Sequence, residues 1–112
     1  MKRSRLVPIL VMLTAPAMAC SDVADQTPVG VEVRDSFFSP TLYVALNGEE
    51  VMWTWRGSLV HNVTFEDDIG NSTDKSTGTL VRTFTTNGTH RYRCTIHSTT
   101  FTTGMVGAII VP

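Results

Sequence analysis

"YRCTIHSTTFTTGMVGAIIV", residues 92–111, carries a cysteine, a histidine and a methionine on one loop that runs into a strand. Its end, Met105 to Val111, is apolar and β-branched, the composition of a buried strand. The same period-two texture recurs upstream. It is found in "VGVEVRD" (29–35), "TLYVAL" (41–46), "VMWTW" (51–55), "VHNVTF" (60–65), "TLVRTFT" (79–85) and "THRYRC" (89–94). Seven strand candidates result, and no amphipathic helix of useful length follows the N-terminal segment. Asn47-Gly48 and Asn87-Gly88 are strong turn signals, and Pro40 marks an edge or a kink. The polar run Glu66 to Gly78 reads as an exposed loop. The expectation is an all-β protein, a two-sheet antiparallel sandwich.

The strand count also suits an immunoglobulin-like sandwich, but no second core cysteine exists for the inter-sheet disulfide of that class. The other cysteine is Cys20, at the end of "MKRSRLVPILVMLTAPAMAC". Lys2, Arg3 and Arg5, then an apolar stretch from Leu6 to Leu13, then Ala17-Met18-Ala19 have the layout of a secretory signal. The apolar stretch is too short for a membrane span of about 20 residues. Cys20 resembles a lipobox cysteine, the lipidated first residue of a mature lipoprotein. Ala17 stands where leucine is more usual, so simple cleavage after Ala19 is the alternative. Residues 1–19 are thus read as signal and 20–28 as a lipidated cysteine and polar tether. Residues 29–112 form the folded domain, large enough for one small core. Without the signal, six basic residues face ten acidic ones, a formal charge of −4. No basic stripe suggests nucleic acid.

If Cys20 carries lipid, Cys94 is a lone thiol in an oxidising compartment, either inert and buried or held by a metal. The surrounding residues favour the metal. Copper that cycles between Cu(I) and Cu(II) with little rearrangement wants a thiolate, two imidazoles and a weak axial thioether. His61, Cys94, His97 and Met105 supply that set. The 33 positions between His61 and Cys94 allow a loop and two strands to bring the chain back to the same end. Structural zinc prefers four strong ligands, often several cysteines, and fits this donor set less well. His90 shares strand parity with Tyr92 and Cys94 and is read as packing or hydrogen bonding. Trp53 and Trp55 are read as core.

The segments "FFSP…VALNGEEVMWTWRGSLVHNVTF" and "NGTHRYRCTIH…GMVGAIIV" resemble the cupredoxins, type 1 blue copper proteins of the plastocyanin and pseudoazurin kind. The resemblance spans most of Phe37 to Val111. It implies an eight-stranded Greek-key β-sandwich with one copper ion near one end. It implies His61, Cys94, His97 and Met105 as copper ligands. It also implies Asn62 as the residue tying the two ligand loops, its backbone N–H toward the Cys94 sulfur. One departure stands out: "STTFTTG" makes the spacing Cys-x₂-His-x₇-Met, longer than the family commonly has. The axial contact of Met105 is the one this loop bears on.

The expected function is single-electron transfer through Cu(I)/Cu(II) between redox partners outside the cytoplasmic membrane, such as cytochromes or membrane oxidoreductase complexes. The expected form is a monomer, periplasmic or otherwise exported, anchored through Cys20 where lipidated. Phe101 is expected to offer an exposed aromatic for partner contact. A copper enzyme would need a second copper site or an open coordination position. Arg93 and Thr95 flank Cys94, and the whole chain has three histidines. Copper delivery is the alternative, although only Met52 and Met105 remain outside the signal to build an exchangeable methionine cluster.

Overall fold

The computed structural model describes residues 30–112; the expected signal, Cys20 and the tether lie outside them. Eight strands follow in order: β1 (Gly30–Val33), β2 (Phe38–Ser39), β3 (Leu42–Val44), β4 (Glu50–Trp55), β5 (Thr64–Phe65), β6 (Thr79–Thr83), β7 (Gly88–Arg93) and β8 (Val106–Val111). They form two four-stranded sheets, β2-β1-β4-β6 and β3-β8-β7-β5. The described residues contain no helix. The all-β sandwich expected from the sequence is the observed architecture.

Two features differ in detail. The sheets are mixed: β1 pairs β4 in parallel, Val31 opposite Trp53, and β3 pairs β8 in parallel, Tyr43 opposite Ile109. Parallel neighbours need long connections, and here the chain makes them by crossing to the other sheet and returning. The Asn47-Gly48 and Asn87-Gly88 turns therefore link strands of different sheets instead of closing hairpins within one. Both glycines take positive φ, +90° and +128°, as such turns require. The Asn47 amide donates to Asn87 Oδ1 at 2.7 Å, joining the two turns at one end of the sandwich. β2, the strand with no sequence signal, is two residues long and ends before Pro40 on a sheet edge, where a missing N–H costs little.

The alternation read in β4 holds: Val51, Trp53 and Trp55 are buried and Met52 and Thr54 less so. Trp53 is fully buried at the centre of the core. It meets Phe65 and Tyr92 edge-on at 5.3 and 5.4 Å and Phe84 at 6.1 Å. Each such pair adds about 0.5–1.5 kcal/mol beyond area burial, so this cluster fixes how the sheets face one another. Gly107 on β8 fits because a Cβ there would lie 2.5 Å from the Tyr92 ring and hydroxyl.

The run Glu66 to Gly78 is more than an exposed loop. Asn71 Oδ1 accepts the Phe65 N–H, Ser72 Oγ accepts the Val63 N–H, and Lys75 exchanges two backbone hydrogen bonds with His61. These partners replace sheet neighbours, which is why the strand read over 60–65 shortens to Thr64–Phe65.

His90 is buried on β7, as expected of a packing residue, with Nδ1 2.5 Å from Asp67 Oδ2 and Nε2 2.7 Å from the Thr86 carbonyl. Both ring nitrogens face acceptors, so both must donate, which only the imidazolium can do. Burial pulls the His90 pKa down, but the hydrogen bonds from the ring to Asp67 and Thr86, with the Asp67 charge, raise it above the ordinary value. A raised folded-state pKa stabilises the protein fully below the unfolded value of about 6.5, and that contribution disappears as pH rises through the folded pKa. The stability gap between the wild type and His90→Gln, measured by urea unfolding, should therefore be widest near pH 5–6 and shrink at alkaline pH.

Candidate metal centre

The site lies at the end of the sandwich opposite the Asn-Gly turns, where β1, β4 and β7 finish. The His61 backbone is held first. Its N–H and C=O bond Lys75 at 2.9 and 3.0 Å, and its carbonyl also accepts the Trp55 indole N–H at 3.3 Å. Lys75 Nζ sits over the Trp55 ring at 4.7 Å. Trp55 is thus core, as read, and also a brace for His61. The His61 side chain is fully buried.

Cys94 and His97 come from the turn that leaves β7. His97 N–H bonds the Cys94 carbonyl at 3.2 Å. The thiol is free and buried, whereas His97 is exposed. His61 Nδ1, His97 Nδ1 and Cys94 Sγ converge, with separations of 3.2 Å between the nitrogens and 3.8 and 3.6 Å from sulfur to each. A point equidistant from all three lies about 2.1 Å from each, close to the 2.0–2.3 Å of first-row metal bonds to nitrogen and sulfur. The donors are spaced to share an ion.

Met105 is 1 % exposed. Its carbonyl accepts the Cys94 N–H at 3.0 Å, and its N–H bonds the His97 carbonyl at 3.4 Å. The extended loop therefore closes at its base through the Met105 backbone. Gly104 makes this possible with φ +85°: a Cβ would lie 2.8 Å from the His97 carbonyl oxygen. The bulge is organised within itself. The buried Ser98 hydroxyl lies 2.5 Å from the Thr100 carbonyl and 2.6 Å from that of Thr103. Arg93 reaches the Ser98 carbonyl and lies over the Phe101 ring at 5.0 Å. Phe101 is half-buried against that guanidinium, which corrects the expectation of a free aromatic for partners. The exposed apolar side chains here are Leu59 and Val60, next to His61, and Ile96, next to His97.

Asn62 is buried between the two ligand loops. Its amide donates to Asp74 Oδ1 at 2.9 Å and Thr95 Oγ1 at 2.7 Å. Its carbonyl oxygen accepts the Thr95 N–H and the Thr64 hydroxyl, each at 3.0 Å. The side chain makes the tie between loops that the resemblance implied.

Sequence reasoning missed Asp35. This residue follows β1, and its Oδ1 lies 2.9 Å from His61 Nε2, the ring nitrogen away from the donor cluster. The carboxylate also accepts the N–H groups of Ser58 and Leu59 at 3.0 Å and the Ser58 hydroxyl at 3.1 Å. The hydrogen bond from His61, then those from the Ser58 and Leu59 amides, hold its carboxyl well below the usual carboxylate range. Only the neighbouring "RGSLVH", a glycine-containing turn before a histidine, hints at such a seat.

A family model described as copper binding proteins, plastocyanin/azurin family, matches residues 26–112. No curated protein matches the chain significantly. Among solved structures, a novel purple cupredoxin from Nitrosopumilus maritimus is 25 % identical with a TM-score of 0.59, covering 68 % of this chain and 82 % of that one. A reduced Cu(I) form of an amicyanin variant is 26 % identical with a TM-score of 0.65, covering 82 % and 88 %. A pseudoazurin from Sinorhizobium meliltoi, 22 % identical with a TM-score of 0.61 over 76 % and 73 %, shares the fold.

Replacing the buried Asn62 with Ala should remove four hydrogen bonds at once and cost about 2 kcal/mol or more, since each contributes about 0.5–1.5 kcal/mol net. Asn87→Ala, at an exposed turn, should stay within about 0.5 kcal/mol. Urea midpoints with unchanged m-values check both.

Proposed function

The chain belongs to the plastocyanin/azurin family of copper-binding proteins, and on that premise we propose that it carries single electrons between redox proteins outside the cytoplasmic membrane. Copper is its cofactor. The residues proposed to hold it are His61, Cys94 and His97, with Met105 as the residue that would supply a thioether. The observation that carries this is the convergence of two imidazole nitrogens and one cysteine sulfur within 3.8 Å. A bound copper ion supplies a one-electron Cu(I)/Cu(II) couple, and a His₂Cys set with a distant methionine serves both oxidation states.

The remaining work belongs to the protein. Trp55 and Lys75 hold the His61 backbone, and Asn62 holds the His61 side of the site to the Cys94 loop. The donors are therefore in place before the electron arrives, and little has to move when it does. In this reading the Asn62 backbone N–H faces the Cys94 sulfur, where a donor withdraws thiolate density and favours Cu(I). Exposed His97, with Leu59, Val60 and Ile96 nearby, offers a small apolar face through which a partner can approach the site closely. Cytochromes or membrane oxidoreductase complexes are the proposed partners. Export by residues 1–19 and anchoring through Cys20 belong to the same proposal, with the carrier acting as a monomer. A catalytic role is disfavoured because four protein donors leave no open position for substrate.

Purified protein loaded with Cu(II) should be intensely blue, absorbing at roughly 600 nm from thiolate-to-copper charge transfer. Cys94→Ser should abolish that band. The native protein should keep its copper through repeated reduction and oxidation. A colourless protein that surrenders Cu(I) readily to a chelator would instead identify copper delivery.

A further inference from the structure

His61 approaches the other two donors through Nδ1 and turns Nε2 toward Asp35. We propose that Asp35 is a positioning residue that sets the reduction potential of the site, favouring Cu(II) by drawing on the His61 Nε2–H. The inference rests on the copper site proposed above.

Three observations carry it. First, the geometry fixes the tautomer. A carboxylate 2.9 Å from Nε2 accepts its proton, which leaves Nδ1 as a free lone pair aimed at the ligand cluster. Second, the carboxylate is built into the fold. Two backbone N–H groups and one hydroxyl of the Ser58–Leu59 turn bind it, so it cannot swing to solvent without breaking those bonds. Third, the seat is shaped for it. A Cβ on Gly57 would lie 2.2 Å from Asp35 Oδ1, so only glycine there admits the carboxylate. On the other side Ser36 takes φ +86°, a left-handed conformation unusual for serine, turning the chain sharply just after Asp35.

The direction of the effect follows from charge. A hydrogen-bonded carboxylate raises imidazole basicity and adds negative charge beside the site. Both stabilise Cu(II) more than Cu(I) and lower the potential. The two turn amides and the serine hydroxyl spread part of that charge, and Asp35 is one-third exposed, so solvent weakens it further. What remains is the directed hydrogen bond. Loss of such a partner typically changes metal affinity 10–100-fold.

Asp35→Asn keeps the size of the side chain and an oxygen acceptor but removes the charge. The copper-loaded variant should retain its blue band while the ratio of Cu(II) to Cu(I) affinity falls about tenfold, a rise of about 59 mV in a redox titration. An intact blue band with the ratio changed less than twofold would overturn the proposal, because a purely structural role would leave the potential alone. Should Asp35→Asn fail to fold, NMR of the reduced native protein decides. A His61 Nε2–H resonance shifted far downfield and protected from solvent exchange supports the bond to Asp35, and a rapidly exchanging one overturns it. A native protein that never turns blue would instead refute the copper site itself.

Discussion

The side chain of Asn62 is the point at which the two halves of the metal site become one object. His61 and Cys94 are far apart in sequence and sit on different connections. Two hydrogen bonds between one buried amide and Thr95 join those connections, and two more seat the amide on Asp74 and Thr64. An amide suits the task because it offers two donors and two acceptor lone pairs in one plane. Aspartate could not donate to Thr95 Oγ1, and leucine would orphan the Thr95 N–H. Everything said about a rigid redox site presumes this join, since loose loops would let each oxidation state choose its own geometry.

The sandwich carries the same requirement inward. Trp53 packs edge to face on Phe65 and Tyr92 and at a tilt on Phe84 between the sheets, and the cluster sets their spacing. Tyr92, near the end of β7, lies two residues before Cys94 and both are fully buried, so the packing that holds the ring also positions the thiol. Trp55, two residues beyond Trp53, acts on the other ligand by bonding the His61 carbonyl. Core order and site order are thus linked through β4 and β7.

Much of this could be read from the chain. Period-two alternation located seven strands, and residue chemistry with loop spacing picked out His61, Cys94 and His97, whose donor atoms the fold brings together. What escaped shares one cause: contacts set by tertiary placement leave no local pattern. β2 is too short for a period to show. Parallel pairing of β1 with β4 depends on what lies between sheets and not on either strand. Asp35 meets His61 across 26 positions, and nothing in "VRDSFF" marks it as anything but a turn residue. The polar loop after β5 was legible as a loop, but its asparagine, serine and lysine pair with strand backbone in ways composition does not reveal. The long Ser98–Gly104 bulge closes at its base through the backbone of Met105, a pairing that loop length alone does not reveal.

The direction of β1 has a consequence for how the molecule is presented. β1 runs alongside β4 from Gly30 toward the metal-bearing tip, so whatever precedes Gly30 departs from the opposite pole, near the joined turns. An anchor at that pole, as proposed for Cys20, would leave His97 facing away from the point of attachment. β8 runs away from the site, so Pro112 also lies at the blunt pole, and fastening the chain there would give the same aspect. Both ends of the domain therefore leave the working tip unobstructed.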